Sequence, residues 1–412
     1  MIKIKLEVKF MRVNNGKIYW QDKSKINKVY PYLTHDIKAD VLVIGGGIAG
    51  ALTTYFLAKE GANVVVAEKN IIGHGNTIAD NAALEYELES EIYKLEKSIG
   101  KIQAERIYKL CLDALDKIEK INKEFKNPTG FTRQDNLYFT NKLMQKGNVA
   151  KEFEIRKKAG FDAVFIDSHS LVNLNSGIVT KSGSAVLNPY MFTQGLFEYL
   201  DSLDNVHIFE NTNVEDIKCK IDSVDCKTNN NFKIKADKLI FASGIETLKY
   251  LESSPAELYK KFTIVTKPID RLKNFNTNFT ARDSLEPSHI LRFAPNNRII
   301  YSGEEVKFSD RFLDNKYLNN VSSDKYKKLY NNLQKTLYNI DEIPIEFAFN
   351  STVANTKDSL PIIDEIPNMP NAFCNLGFGQ NGILYSVIGA DMLRNAIKGL
   401  YTKDMNMFRV NR

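Results

Sequence analysis

The sequence has few cysteines and none of the patterns that mark a metal centre or a disulfide framework. Among its 412 residues, no C-x-x-C pair occurs, and no cysteine stands at metal-ligand spacing from any of the five histidines. Reduced thiols and no bound metal are therefore expected. The four cysteines are Cys111, Cys219, Cys226 and Cys374.

Long apolar runs and an excess of one charge are also missing. No stretch reaches the roughly 18 apolar residues that a membrane-spanning helix needs, and the N-terminal MIKIKLEVKFMRVNNG does not read as an export signal. The net charge of +6 comes from Lys and Arg interleaved with almost as many Asp and Glu, which is typical of a solvated surface. We expect a cytoplasmic protein that binds no nucleic acid and spans no membrane, with Met11 as an alternative start to Met1.

What the sequence does contain is a glycine loop between two apolar runs, in ADVLVIGGGIAGALTTYFLAKEGANVVVAEKN. Val41 to Ile44 predicts a buried parallel strand, and the segment after the glycines predicts a helix that ends at Gly61. Asn63 to Ala67 predicts a second buried strand, which ends on Glu68. Strand, glycines, helix and strand together are the context in which G-x-G-x-x-G binds a dinucleotide.

Each glycine of this loop has a separate expected role. Gly45 allows the tight turn, Gly47 lets the backbone approach a pyrophosphate, and Gly50 lets the helix pack closely on the strand. The diphosphate would then lie at the helix N-terminus, beside Ile48 and Ala49. At the end of the second strand, Glu68 is expected to accept hydrogen bonds from a ribose, with Lys69 next to it.

A second G-x-G-x-x-G occurs near the end of the sequence, in LGFGQNGILYS. Ala372 to Leu376 predicts the strand before it, and Ile383 to Ile397 predicts the helix after it. No strand with an acidic end follows, so a second dinucleotide site is not expected here. The helix N-terminus offers free N–H groups and a partial positive charge of roughly half a unit instead. The glycines of this turn are Gly377, Gly379 and Gly382.

Further stretches follow in a fixed order between the two glycine loops. They are GNT at residues 75–77, NTNVEDI with Val214, KLIFASGIET with Ala242, Ser243 and Gly244, and NTKDSLPII with Thr356, Asp358 and Pro361. In this order, and with the two glycine loops, they resemble the D-amino acid oxidase/glycine oxidase (DAO) family of FAD-dependent oxidoreductases, which includes sarcosine oxidase. The resemblance covers most of the chain.

This resemblance implies FAD as the cofactor and the oxidation of a C–N bond of an amino acid or amine, by hydride transfer to flavin N5. It also implies that the helix after the second glycine loop points at the pyrimidine end of the flavin ring. Covalent-flavin relatives carry a cysteine that NSTVAN lacks, so noncovalent FAD is expected. The additional residues implied to bind FAD are Gly75, Asn76, Thr77, Val214, Ala242, Ser243, Gly244, Gly377, Gly379, Gln380, Asn381, Gly382 and Ile383.

Both arginines that usually bind the substrate carboxylate in glycine oxidases are missing. Val353 and Gln380 occupy those positions. Arg292 is the predicted replacement, because it alternates with apolar neighbours on a strand, although a surface role is equally compatible; Arg282 is a weaker candidate. Gln380 and Tyr301 are predicted to complete the substrate pocket. The alternative is that Val353 and Gln380 favour an uncharged substrate.

The expected fold is α/β, with a Rossmann-like FAD-binding domain and a discontinuous second domain built on a mixed sheet with helices. Residues 91–121 carry apolar side chains at helical spacing, which predicts helical structure, and HILRFAPNNRIIYSG predicts a hairpin. The predicted domains are an N-terminal extension, 1–38; the FAD-binding domain, 39–90, 184–250 and 351–402; the substrate domain, 91–183 and 251–350; and a C-terminal tail, 403–412.

Two other functions remain open from the sequence. One is an NAD-dependent dehydrogenase, and the other is a flavin-binding subunit without turnover of its own. The identity of the substrate, the acceptor that reoxidises the flavin and the oligomeric state are also open.

Overall fold

The computed structural model describes residues 13–25, 28–125, 129–251, 255–340 and 342–412. The first twelve residues of the predicted N-terminal extension, including both possible starts, lie outside them. The strands are β1 Asn14–Gly16, β2 Ile37–Ile44, β3 Val64–Ala67, β4 Ala83–Glu85, β5 Thr132–Thr140, β6 Ala163–Ile166, β7 Ser176–Val186, β8 Val206–Phe209, β9 Val214–Cys219, β10 Val224–Thr228, β11 Lys233–Phe241, β12 Ala256–Thr266, β13 Phe279–Asp283, β14 Ile290–Ala294, β15 Arg298–Lys307, β16 Ile345–Thr356, β17 Ile362–Glu365 and β18 Ala372–Leu376.

The helices lie between these strands and at the end of the chain. They are α1 Tyr19–Lys23, α2 Ile48–Lys59, α3 Ile92–Ile99, α4 Lys101–Asn122, α5 Lys146–Lys158, α6 Pro189–Leu200, α7 Asn315–Thr336 and α8 Gly382–Ala396. None of the helices in the described ranges has both the length and the apolar character needed to cross a membrane.

The first sheet contains the predicted glycine-loop strands. Its main strands run in the order β17-β18-β11-β2-β3-β8, and β9 and β10 extend it from β11. The strands from β18 to β8 are parallel, and residues 41–44, 64–67 and 239–241 are continuous apolar runs because both faces of the sheet are covered there. Helices α2, α6 and α8 pack together over one face.

The predicted helical segment 91–121 is confirmed, but it forms two helices rather than one. Gly100 adopts a left-handed φ of 86° between α3 and α4, a conformation that glycine adopts at little cost. The longer helix, α4, packs against α8 and connects the segment to the core of the first sheet.

Over the described ranges, the second sheet has ten strands, in the order β1-β16-β12-β15-β14-β13-β5-β7-β4, with β6 paired to β7. The predicted hairpin is present as β14 and β15, and its turn residues Asn296 and Asn297 both have positive φ. One face of the sheet packs its apolar side chains against α7. The other face carries many polar side chains and lies toward the first sheet.

The chain passes between the two sheets several times. Strand β4 lies within the predicted segment 39–90 of the FAD-binding domain but pairs with β7 of the second sheet. Strands β7 and β16 span the predicted boundaries at 184 and 351. The domain limits therefore stay a prediction, while the two sheets are the units that position the site.

Candidate functional site

A groove of about 510 Å³ runs along the ends of strands β2, β3, β11 and β18. It lies at the carboxyl ends of these parallel strands, where ligands bind in open α/β sheets. Most of the residues predicted to bind FAD line it: Gly45, Gly47, Ile48, Ala49, Glu68, Lys69, Gly75, Asn76, Thr77, Val214, Ala242, Ser243, Gly244, Gly377, Gly379, Gly382 and Ile383.

The first glycine turn has the geometry that a dinucleotide requires. Gly45 has a φ of +118°, and a Cβ added to Gly50 would lie 1.9 Å from the Gly45 carbonyl oxygen. A Cβ on Gly47 would meet only Thr77 Oγ1, at 3.2 Å, and that oxygen accepts a hydrogen bond from Ile48 N at 3.1 Å. Gly50 therefore serves helix packing, while Gly47 borders the groove.

Glu68 is held in place at the end of β3 by backbone donors. One carboxylate oxygen accepts from Gly46 N at 2.6 Å and the other from Asn70 N at 2.8 Å. Burial raises the pKa of this carboxyl group, and the two backbone donors oppose that rise. Each oxygen keeps a lone pair for a further donor. Next to it, Lys69 forms an ion pair with Glu246, and both residues line the groove.

The second glycine turn forms the other end of the groove. A Cβ on Gly377 would lie 2.2 Å from the Gly382 carbonyl oxygen, and Gly379 has a φ of +81°. No side chain caps the N-terminus of α8. Its first-turn residues Gly382 and Ile383 line the groove, so the N–H groups and the positive end of the helix dipole lie close to the groove.

Residues 80–91, which we call the crossing segment, include edge strand β4 of the second sheet and contact the turn before α8. From α8, the Asn381 amide donates to the carbonyl oxygens of Glu85 and Glu87, at 2.9 and 2.6 Å. On the sheet side, Asn81 donates to Ser302 Oγ at 2.5 Å. The segment therefore connects the second glycine turn to the second sheet. Asn381 was predicted to bind FAD, but its side chain has this bridging role.

Arg292 is not positioned as the predicted carboxylate anchor. It points to the opposite face from its apolar neighbours, as expected, but it is only 2% exposed. One guanidinium nitrogen donates to three backbone carbonyls, those of Asn81, Ala82 and Leu187, at 2.9, 2.6 and 2.9 Å. The guanidinium also lies over the Trp20 ring. The prediction is corrected because these carbonyls, and not a substrate, occupy the side chain.

Tyr301 does not reach the groove either. It lies on the α7 face of the second sheet, where its ring stacks on His289 with a centroid distance of 5.4 Å. Its hydroxyl is 3.4 Å from Thr336 Oγ1. Alternation along β15 places its side chain away from the polar face, so the predicted pocket role of Tyr301 is corrected to a core role.

Gln380 stands beside the second glycine turn without lining the groove itself. Its amide nitrogen donates to Glu89 Oε1 at 3.2 Å and to Ser288 Oγ at 2.9 Å. The side chain therefore ties the crossing segment to the loop before β14. Its amide oxygen is buried and has no hydrogen-bond partner among the described residues.

Several charged residues on the polar face were not predicted from the sequence. Lys261 is 9% exposed, and its Nζ lies 3.8 Å from Glu305. Asp80 lines the groove; burial raises its pKa, and the N–H of Ala82 and the charge of Lys261 oppose that rise. The glutamates of the crossing segment could have been noticed in the sequence, because LEYELESE places a glutamate at every second position.

Comparison with known proteins identifies relatives over almost the whole chain. A relative from Bacillus subtilis, the putative Rieske 2Fe-2S iron-sulfur protein YhfW, is 24% identical over 386 residues, which are 92% of this chain and 72% of that protein. Glycine oxidase from Geobacillus kaustophilus superimposes with a TM-score of 0.75 at 18% identity, covering 92% of this chain and 99% of the oxidase.

A second solved structure has the same fold. L-amino acid deaminase from Proteus vulgaris superimposes with a TM-score of 0.76 at 15% identity, covering 94% of this chain and all of the deaminase chain. The family model for FAD-dependent oxidoreductases of the DAO type matches residues 40–396, which include both glycine turns and the crossing segment. The chain therefore belongs to the DAO family of FAD-dependent oxidoreductases, and its cofactor is FAD.

Proposed function

We propose that the protein oxidises a C–N bond of an amine or amino acid, in a reaction for which bound FAD would supply the hydride acceptor. The observation that carries the proposal is the groove with a glycine turn at each end. The crossing segment joins the second of these turns to the polar, buried face of the second sheet. Two solved neighbours, glycine oxidase and L-amino acid deaminase, are named for reactions of amino acids, which supports this donor class.

The described residues fit FAD. Gly47 borders the groove without a Cβ, next to the N-terminus of α2, where a diphosphate is stabilised by backbone N–H groups. Glu68 has lone pairs left for ribose hydroxyls. At the other end, the uncapped N-terminus of α8 suits the electron-rich end of a flavin ring. None of the four cysteines is among the described residues that line the groove, in agreement with noncovalent binding.

FAD, when bound, supplies the two-electron acceptor, and the chain's residues bind and orient both partners. The substrate loses a hydride from the carbon next to nitrogen, and the nitrogen lone pair forms the C=N bond of a protonated imine. Water then converts this imine to a carbonyl compound and ammonium. The reacting nitrogen must be uncharged when the hydride leaves, so positioning contributes more than acid–base catalysis.

On the substrate side, the chain provides a closed and polar environment. The crossing segment and the loop before β14 are held together by Gln380. Lys261, Glu305 and Asn355 stand on the neighbouring strands, and Asn355 donates to Glu305 at 3.0 Å. These residues are the proposed wall of the substrate site, and excluding water there strengthens each of their electrostatic contacts.

Anaerobic flavin bleaching tests this function. Purified protein is expected to be yellow, to release FAD on denaturation, and to lose its visible flavin absorbance when an amine or amino acid is added without oxygen. A protein that binds no FAD would overturn the proposal. So would a holoenzyme that is reduced only by a donor without nitrogen, such as a hydroxy acid, or by no donor in a broad panel.

A further inference from the structure

The crossing segment carries glutamates at alternate positions, and only some of them have a cationic partner. Glu87 forms buried ion pairs with Arg156 and Arg282. Glu91 pairs with Lys94 at 2.9 Å. These two carboxylates are therefore neutralised within the fold. The remaining two, at positions 85 and 89, form no ion pair with any residue that the structure describes.

Glu89 lies near the strands that carry a second carboxylate, Glu305. Gln380 donates to both Glu89 and Ser288, and Ser288 precedes β14, which pairs with β15; among the described residues, Gln380 is the one donor to Glu89 Oε1. Burial raises the pKa of the nearby Glu305 carboxyl; the charge of Lys261 lowers it, and the charge of Glu89 raises it again. Lys261 lies 3.8 Å from Glu305 and forms no ion pair with Glu89 among the described residues.

Glu85 adds a third carboxylate to this set. It is 2% exposed, and its Oε1 has no hydrogen-bond partner among the described residues. Burial raises its pKa to about 7, against the opposing charge of Arg282. That arginine is already paired with Glu87. Glu85 is therefore largely protonated below neutral pH, while Glu89 has no ion-pair partner among the described residues and Glu305 has only Lys261, which leaves negative charge for a ligand to neutralise.

Neutral acceptors around the carboxylates are also left without donors. Gln134 is 7% exposed. Gln134 in β5 and Glu85 in β4 both lie opposite Ser184 of β7, one on each side of that strand. Their side chains therefore project from the same face of the sheet. Gln134 Oε1 has no partner in the described structure, nor have Asn136 Oδ1 and Gln380 Oε1. For Gln380 the orientation is fixed, because its nitrogen faces a carboxylate. Buried acceptors without partners indicate a ligand rich in donors.

Most cationic groups near this wall are already engaged by the fold. Arg292 is held by backbone carbonyls, and Arg282 is paired with Glu87, although its Nε has no hydrogen-bond partner among the described residues. Lys261 already faces Glu305. An α-carboxylate placed here would add negative charge to an acidic site, and the Coulomb term in a partly buried site is large enough to decide recognition.

We propose that the substrate is an aliphatic amine that carries a second positive charge and no carboxylate, and that Glu89, Glu305 and the Gln380 oxygen bind its second ammonium group. This inference rests on the proposed function and narrows its substrate class. The reacting nitrogen has to be neutral, whereas an ammonium bound by carboxylates stays protonated. The acidic wall therefore suits the nitrogen that is not oxidised.

Isothermal titration of the holoenzyme with matched ligands tests this recognition, with the flavin reduced beforehand and oxygen excluded so that no probe is turned over. The probes are 1,4-diaminobutane, butylamine and 4-aminobutanoate, which share an aminopropyl group and carry an aminomethyl, a methyl or a carboxylate group at its end. The diamine is expected to bind about tenfold or more tightly than butylamine, the size of one charge-assisted contact, and 4-aminobutanoate is expected to bind weakest. Diamines with one carbon fewer or more serve as length controls.

Variants assign the recognition to residues. Glu89→Gln and Glu305→Gln keep the shape and remove the charge, and each is expected to reduce the preference for the diamine about tenfold, with FAD content unchanged. Glu257→Gln, at an exposed glutamate that pairs with Lys307, is the control and should leave the preference intact. Tighter binding of 4-aminobutanoate, an unchanged preference in both variants, or no measurable binding of any probe overturns the inference.

The two proposals fail in different ways. If the binding order holds but no amine bleaches the flavin, the recognition stands and the proposed function fails. If amines or amino acids bleach the flavin without any preference for the second charge, the proposed function stands and the inference about the substrate class fails.

Discussion

At the scale of single residues, Arg292 serves the fold rather than the substrate. Its guanidinium satisfies three carbonyl groups from two separate parts of the chain. Buried backbone carbonyls need partners, and an arginine has enough donors to serve several of them. The residue therefore attaches the start of the crossing segment, and the strand end before α6, to β14.

Replacing Arg292 with Met is expected to destabilise the protein without changing what it binds. Three carbonyls would lose their partner, and each unsatisfied group costs about 1–3 kcal/mol, so the free energy of unfolding should fall by several kcal/mol. Urea denaturation measures this change. Arg311→Met, at an exposed position, is the control. A variant of unchanged stability that no longer binds amines would contradict this account and restore Arg292 as a substrate anchor.

The buried Glu85 carboxyl predicts a pH dependence of stability. Because its pKa rises from 4.5 to about 7 on folding, the folded state binds the proton more tightly than the unfolded state. Its contribution to stability is complete below pH 4.5 and is lost as the pH rises through about 7, amounting to about 3 kcal/mol. Burial also raises the pKa of Glu68, Asp80 and Glu305, so urea denaturation at pH 5 and pH 8 should show a larger loss of stability in the wild type than in Glu85→Gln. Parallel losses in both proteins would show that Glu85 does not titrate in this range.

At the scale of elements, the two glycine turns decide where helices α2 and α8 begin. In the first turn, Gly50 and Gly47 differ in what a side chain would meet: backbone at 1.9 Å for Gly50, and only the Thr77 hydroxyl for Gly47. A substitution at Gly50 therefore acts on the fold, whereas a bulky residue at Gly47 acts on the groove.

This difference predicts that both substitutions reduce FAD binding but that only the one at Gly50 lowers the stability of the fold. Gly50→Ala should lower the melting temperature and FAD content together, because the helix must move away from the strand. Gly47→Val should fail to bind FAD, but its melting temperature should be close to that of the wild-type apoprotein. Gly147→Ala, in α5 with open space around the added Cβ, is the control and should be neutral or stabilising by up to about 1 kcal/mol. Stoichiometric FAD in purified Gly47→Val would contradict the groove assignment.

The sequence predicts elements best where one local pattern decides them. Strands β2, β3 and β18 are short apolar runs that end at glycine or an acidic residue, and the strand, glycine and helix order locates both turns. The break between α3 and α4 was not predicted, because it depends on the φ angle of one residue, Gly100, within a continuous helical pattern of apolar residues. The side-chain partners of Arg292 and Gln380 come from residues about 90 to 290 positions away, and no local pattern specifies such partners.

The same limit applies to which face a side chain occupies. Alternation in β14 and β15 correctly separates Arg292 from its neighbours, but it does not say which face lies toward α7. Tyr301 was assigned to the wrong face for this reason. The alternating glutamates of the crossing segment were visible in the sequence, whereas their sorting into paired and unpaired carboxylates depends on Arg156 and Arg282 from distant elements.

At the scale of the whole molecule, the groove joins the two sheets. Its lining includes residues of the first sheet together with Asn14 of β1 and Val353 and Ala354 of β16, which belong to the second sheet. FAD that binds here contacts both units at once. Ligand binding to the folded state stabilises all the parts that must be ordered for binding.

Removing FAD is therefore expected to loosen both sheets. Saturation at about 100 times the Kd stabilises a folded protein by about 2.7 kcal/mol. Hydrogen exchange of apoprotein and holoprotein should show increased protection on FAD binding in β16 as well as at the start of α2. Helix α7, on the far face of the second sheet, is the internal control and should change less. Protection confined to the first sheet would mean that β16 does not border the cofactor.

The most direct test of the whole account is a single anaerobic turnover with product analysis. Holoenzyme is mixed with less than one equivalent of the amine or amino acid that bleaches its flavin, and the reduced flavin, carbonyl product and released ammonium or amine are measured together. The account predicts one equivalent of carbonyl compound and one of released nitrogen for each flavin reduced. Flavin reduction with the C–N bond intact in the product would contradict it.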